Sequence, residues 1–162
     1  MKNTFSRIII AGLIVGTLDI LAALIHYFAK TGKNPLIVLK FIASGVFGKS
    51  AFSGGPVWIF AGLTFHYIIA FLFTIFFFWL FPKVRNLVKN EILTGIIYAV
   101  FVWVVMNLIV VPLSNTPPQP FNLMNAFVGI IILIVCMGIP LAVMVNSFYN
   151  KEHSVSSLSK SL

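Results

Sequence analysis

The first long apolar run of the chain, residues 8–29, reads IIIAGLIVGTLDILAALIHYFA. A helix needs about 20 apolar residues to cross the hydrocarbon core of a membrane, and this run is long enough. We expect it to be an uncleaved helix, because a secretory signal has a shorter apolar region. Similar runs follow at residues 57–81, 92–113 and 123–147. The sequence therefore predicts an all-α membrane protein, a four-transmembrane-helix bundle in which residues 1–150 form a single domain.

The composition agrees with insertion into a membrane. Of the 162 residues, 60% are hydrophobic and 9% are charged, whereas soluble domains have about 25% charged residues. The formal net charge is +8, which in a soluble protein would favour nucleic-acid binding. Here the basic residues flank the apolar runs. We therefore expect the bilayer's anionic headgroups to be their partners, and we expect no nucleic-acid partner.

The basic residues also predict an orientation, because Lys and Arg accumulate in cytoplasmic segments. With four spans, the larger group lies on the side of both termini: Lys2, Arg7, Lys83, Arg85, Lys89, Lys151 and Lys160. The smaller group lies on the opposite side: Lys30, Lys33, Lys40 and Lys49. We therefore expect both termini to be cytoplasmic.

The connection between the first two runs, residues 30–56, is long and apolar in its middle. Asn34 and Pro35 are typical of a helix start, as a capping side chain followed by proline at the first helical position. Gly45 is a stop signal about ten residues later. The pattern predicts a short interfacial or re-entrant helix at about 35–44, docked against the bundle.

The end of the chain, residues 151–162, is polar and rich in Ser. A segment of this composition has little apolar surface to bury against a bundle. We expect residues 151–162 to be a disordered cytoplasmic tail.

Asp19 is the only acidic residue inside an apolar run. In a helix, Gly12, Gly16, Asp19, Ala23 and His26 fall within an arc of about 80°. An ionisable side chain at membrane depth costs several kcal/mol unless it is paired or hydrated. The position therefore indicates a functional site.

Small or polar residues also occur within the later runs: Gly62 and His66 in the second, Asn107 in the third and Gly129 in the fourth. We expect these faces to meet at one axis. His26 is two helical turns from Asp19, about 10 Å along the helix, so the two cannot bond directly. His66 is the better partner for Asp19.

Two functions fit this arrangement. The first is a small transporter, channel or proton-handling protein whose proton or ion site is the intramembrane Asp/His axis of Asp19, His26, His66 and Asn107. The second is a structural or accessory membrane subunit in which the same residues are helix-packing contacts. In either case we expect helix packing at Gly12, Gly16, Gly62 and Gly129. The glycine surfaces also suggest a homo-oligomer, with a dimer favoured.

Enzyme chemistry has little support in the sequence. The chain has neither a His-Glu-x-x-His zinc motif nor a Gly-x-Ser-x-Gly nucleophile elbow. Residues 43–50 fit a relaxed phosphate loop, but an apolar helix rather than a strand is expected before them. The single Cys136 excludes an intrachain disulfide. We expect no enzyme activity, no catalytic residue, no metal and no cofactor.

The segment PLSNTPPQPFNL, residues 112–123, resembles a motif of the YagU-like family of bacterial inner-membrane proteins. The resemblance implies a multi-pass protein of the bacterial inner (plasma) membrane, without an established biochemical activity. Physically, the consecutive prolines form a stiff, extended link that fixes how the chain enters the fourth helix.

Overall fold

The computed structural model describes residues 2–84, 88, 90–118 and 120–160. Arg85 and Lys89 of the predicted cytoplasmic group, and residues 161–162 of the predicted tail, lie outside these residues. In the described residues the regular secondary structure is helical. The first half of the chain contains α1 (Lys2–Thr31), α2 (Ile37–Phe47), α3 (Ser50–Ser53) and α4 (Val57–Val84). The second half contains α5 (Glu91–Val104), α6 (Val111–Leu113), α7 (Leu123–Leu133) and α8 (Ile139–Lys160), with two π-helical segments, Val105–Val110 and Ile134–Gly138.

These helices form four segments that are long and apolar enough to cross a membrane. The first to fourth spans are Thr4–Thr31, Val57–Val84, Glu91–Leu113 and Leu123–Asn150. All four predicted spans are present, and most extend a few residues beyond the predicted limits. The prediction of an all-α four-helix membrane protein is confirmed.

The spans are arranged as two pairs. The first span packs along the second, the third packs along the fourth, and contacts between the first and fourth spans join the pairs. The core lies towards the chain termini, where Phe77, Phe81, Leu141 and Val145 are almost completely buried. Because lipid is as apolar as these side chains, the close packing of their surfaces stabilises this end. The other end of the bundle is less filled.

Helix α2 begins as expected but ends later. Asn34 Oδ1 accepts a hydrogen bond from Leu36 N at 3.0 Å, which starts the turn that leads into the helix. The predicted stop at Gly45 is wrong, because that residue lies within the helix. Gly48 ends it instead, with φ of 62° and its N–H bonded to Ser44 O. Glycine adopts this left-handed conformation without a steric penalty, so it is the better terminator.

Helix α2 docks on the bundle. Its Leu39 and Ala43 are buried, and its strongest packing is against the second span. Asn115 N donates to Gly45 O at 3.0 Å, and Asn115 Nδ2 donates to Val46 O at 3.1 Å. The first and third loops therefore lie on the same side of the bundle, as four spans require.

Both π-helical segments lie just before a proline. Val111 N–H bonds to Met106 O, and Ile139 N–H bonds to Ile134 O, each five residues back. These wider turns precede Pro112 and Pro140, whose missing N–H interrupts the regular hydrogen-bond pattern.

The last helix continues beyond the membrane-spanning segment. Helix α8 extends to Lys160, so the backbone is helical through most of the segment expected to be disordered.

Candidate functional site

A cavity of about 410 Å³ lies among the four spans, with α2 at one side. Asp19, His26, His66 and Asn107 all line it. The structure therefore brings the four candidate residues to one space, although they come from three different spans. The volume falls within the range of about 300–1,000 Å³ that is typical of small-molecule sites.

Asp19 is half-buried and is the only carboxylate among the described residues that line the cavity. None of those lining residues is Lys or Arg. His66 lies within electrostatic range of Asp19. Among the described lining residues, the carboxylate therefore has no permanent positive charge to neutralise it.

His66 is held in a defined orientation. Its side chain is 9% exposed, and its Nε2 donates to Gly16 O at 2.8 Å. Because a carbonyl oxygen can only accept, Nε2 must carry hydrogen, and the neutral ring has Nδ1 as its proton acceptor. Gly16 lies one helical turn before Asp19 on the same face, so this hydrogen bond places His66 beside the face of α1 that carries the carboxylate.

Asn107 and His26 occupy the margins of the cavity. The Asn107 side chain is exposed, and its Nδ2 donates to Trp103 O at 3.0 Å. It lies in the π-helical segment of the third span, which the sequence pattern did not predict. His26 is half-buried, two turns beyond Asp19 towards the first loop.

Two further cavities adjoin the first on the loop side. One, of about 630 Å³, shares Trp103, Asn107 and Gly129 with it and lies beside the proline-rich segment. The other, of about 540 Å³, shares Tyr27 and Val38 with it and lies beside α2. Both adjoining cavities thus share wall residues with the Asp19 cavity and lie towards the loop end of the bundle.

The four glycines expected at helix contacts all lie against neighbouring elements. A β-carbon at Gly12 would lie 2.5 Å from the Phe71 ring, and one at Gly62 would lie 1.9 Å from Leu39 O. At Gly16 and Gly129 the nearest atoms would be 3.2 Å away. Gly12 and Gly16 thus pack against the second span within one chain. The homodimer stays a prediction, and these two glycines are not available to form it.

Some contacts had no clear signal in the sequence. A β-carbon at Gly95 would lie 2.6 Å from Gly138 O, so the third and fourth spans approach backbone to backbone. Lys30 Nζ also donates to Asn125 Oδ1, which joins the first and fourth spans at the loop end. Neither contact can be predicted from the sequence without knowing which helices are neighbours.

Comparison of the chain with protein-family models, curated proteins and solved structures gives no match. The resemblance to the YagU-like family therefore rests on residues 112–123 alone and stays a prediction. In the described residues, no group of three or more His, Cys, Asp and Glu side chains could hold a metal ion. The fold defines a multi-pass membrane protein, and a cavity lined by Asp19 lies among its four spans.

Proposed function

We propose that the protein is a small proton-handling transporter in which Asp19 binds the transported proton and His66 exchanges it. The observation that carries this proposal is the shared cavity: a carboxylate and an oriented imidazole line it, and none of the described lining residues is Lys or Arg. Ionisable residues in such positions commonly form proton pathways.

The hydrogen bond of His66 gives the two residues distinct roles. With Nε2 fixed to Gly16 O, protons enter and leave the ring through Nδ1. Asp19 stores the proton or the negative charge, and water in the cavity carries protons between the two groups. His26, about 10 Å away along the helix, extends the path towards the adjoining cavities.

The second candidate is a structural or accessory subunit. The His66 hydrogen bond and the glycine contacts favour it, because both also join helices in proteins without transport activity. In that case the carboxylate would serve only as a hydrogen-bonding group, and an amide would replace it.

The substitution Asp19→Asn separates the two functions. It preserves size and hydrogen bonding but removes the titratable charge, so we expect normal insertion and a fall in proton flux of about 100-fold or more. Flux is measured with a pH-sensitive dye inside proteoliposomes under an imposed membrane potential.

Glu91→Gln is the matched control. Glu91 is a second acidic residue, outside the cavity, that accepts a hydrogen bond from Asn146, and glutamine can still accept it. The proton flux of Glu91→Gln should equal that of the parent. Unchanged flux in Asp19→Asn would exclude the carboxylate from transport, and absence of parental flux would exclude the proposed activity.

We propose an orientation in the bacterial inner membrane with both termini cytoplasmic. The charge distribution supports it, and Arg7 and Lys83 lie over the Phe148 and Trp79 rings near the ends of their helices, as expected at a headgroup interface. Single cysteines at Lys33 in the first loop and Ser154 in the tail, in a variant lacking Cys136, test the orientation. An impermeant thiol reagent added outside cells should label only the first, and labelling of both would contradict the topology.

A further inference from the structure

The cavity around Asp19 has few oxygen ligands for a metal ion. A hard cation such as Ca²⁺ takes six to eight oxygens, and Mg²⁺ takes six. The described side chains offer the Asp19 carboxylate, the Asn107 amide oxygen and the Tyr27 hydroxyl, while Gly16 O already accepts from His66. The site therefore cannot replace the hydration shell of such an ion.

The walls of the cavity instead suit an organic group. Trp103, Phe73 and Tyr27 contribute aromatic rings, and Met106 and Met137 contribute flexible thioethers. Aromatic faces attract cations, and methionine adapts to ligands of different shape. A volume of about 410 Å³ is also much larger than a bare ion requires.

Trp103 packs against Gly129 in this wall. A β-carbon at Gly129 would lie 3.2 Å from Trp103 Nε1, so the indole lies close against the backbone of the fourth span. The ring therefore lines both the Asp19 cavity and the adjoining cavity beside the proline-rich segment. A ligand that enters from the loop end would pass the Trp103 ring before it reaches the carboxylate.

From this arrangement we infer that the cavity binds a monovalent lipophilic organic cation, an ammonium or phosphonium group with apolar substituents, with Asp19 as its counter-ion. The inference rests on the proposed function, because it gives the proton site a second, competing occupant. The apolar substituents contact the aromatic and methionine side chains, and the charge lies beside the carboxylate.

The titratable groups that face this site determine how binding depends on pH. They are Asp19, His26 and Tyr27 of the first span and His66 of the second, with Cys136 of the fourth within electrostatic range of Asp19. Among the described lining residues, the third span and α2 contribute none. Protonation of Asp19 removes the counter-ion and protonation of a histidine adds a like charge. Binding should therefore weaken as the pH falls.

Equilibrium binding of tetraphenylphosphonium to the purified protein in lipid nanodiscs tests the inference. We expect saturable binding by the parent, a loss of affinity of roughly 30-fold or more in Asp19→Asn, and an unchanged affinity in Glu91→Gln. Trp103→Leu should weaken binding by roughly 2- to 30-fold through the lost cation–π contact. Asp19→Glu keeps the charge and should retain saturable binding, which provides a test if Asp19→Asn does not fold.

Tetraphenylborate, an anion of nearly the same shape, is the matched ligand control. Equal saturable binding of the anion by the parent, or equal binding of the cation by Asp19→Asn, would overturn the inference. Absence of cation binding together with Asp19-dependent proton flux would overturn it and leave the proposed function intact. Asp19-dependent cation binding without proton flux would support the site and contradict the proton-handling function.

Discussion

Replacing Gly62 with alanine is expected to lower the free energy of unfolding by at least about 1–3 kcal/mol. The added β-carbon would lie 1.9 Å from Leu39 O and 2.6 Å from Leu39 C. These are backbone atoms of α2, so a rotamer change cannot relieve the clash. Because Leu39 and Ala43 hold α2 in a buried contact, the helix would have to move away from the second span.

Thermal unfolding in detergent measures this effect, with Gly55→Ala as the matched control. A β-carbon at Gly55 would meet no described atom within 4 Å, so alanine should be tolerated there. Gly95→Ala, which would bring a β-carbon to 2.6 Å from Gly138 O, should resemble Gly62→Ala. If Gly62→Ala unfolded at the same temperature as Gly55→Ala, the docking of α2 would be refuted.

Replacing His66 with glutamine is expected to reduce proton flux by about 100-fold or more while the protein stays folded. The glutamine amide can still donate a hydrogen bond to Gly16 O, but it cannot take up a proton at neutral pH. Proton flux in proteoliposomes and the unfolding temperature are measured on the same preparation of His66→Gln and are compared with those of the parent.

His66→Phe provides the contrast. Phenylalanine fills the space of the ring but loses the hydrogen bond, so it should reduce both flux and stability, the latter by about 1 kcal/mol. If the residue serves only in packing, His66→Gln should behave like the parent in every assay. A glutamine variant with parental flux would therefore remove His66 from the proton path.

The sequence was sufficient for the spans and for the polar face of the first helix. Length and hydropathy alone locate the membrane helices, because the bilayer sets a minimum apolar length. The helical period places Gly16, Asp19 and His26 on one face, and all three line the cavity. These properties are local to one helix, so they can be derived without knowing its neighbours.

Features that depend on neighbouring elements could not be predicted from the sequence. Gly45 and Gly48 are both plausible helix terminators by residue type, but in the structure Gly45 lies within α2 and bonds to the third loop, whereas Gly48 has the positive φ that ends the helix. The close approach of Gly95 to Gly138 requires knowledge of which spans are adjacent. The wide turn at Asn107 changes the face on which later residues lie, and Pro112 signals an interruption of the helix without specifying that it takes this form.

The central claim is that Asp19 titrates in a cavity that water reaches. Infrared difference spectroscopy of the protein in lipid, recorded between two pH values, observes the carboxyl stretch directly. We predict a protonated-carboxyl band that appears as the pH is lowered, is absent from Asp19→Asn and persists in Glu91→Gln. A parent spectrum whose carboxyl bands are the same as those of Asp19→Asn at every pH would contradict the account.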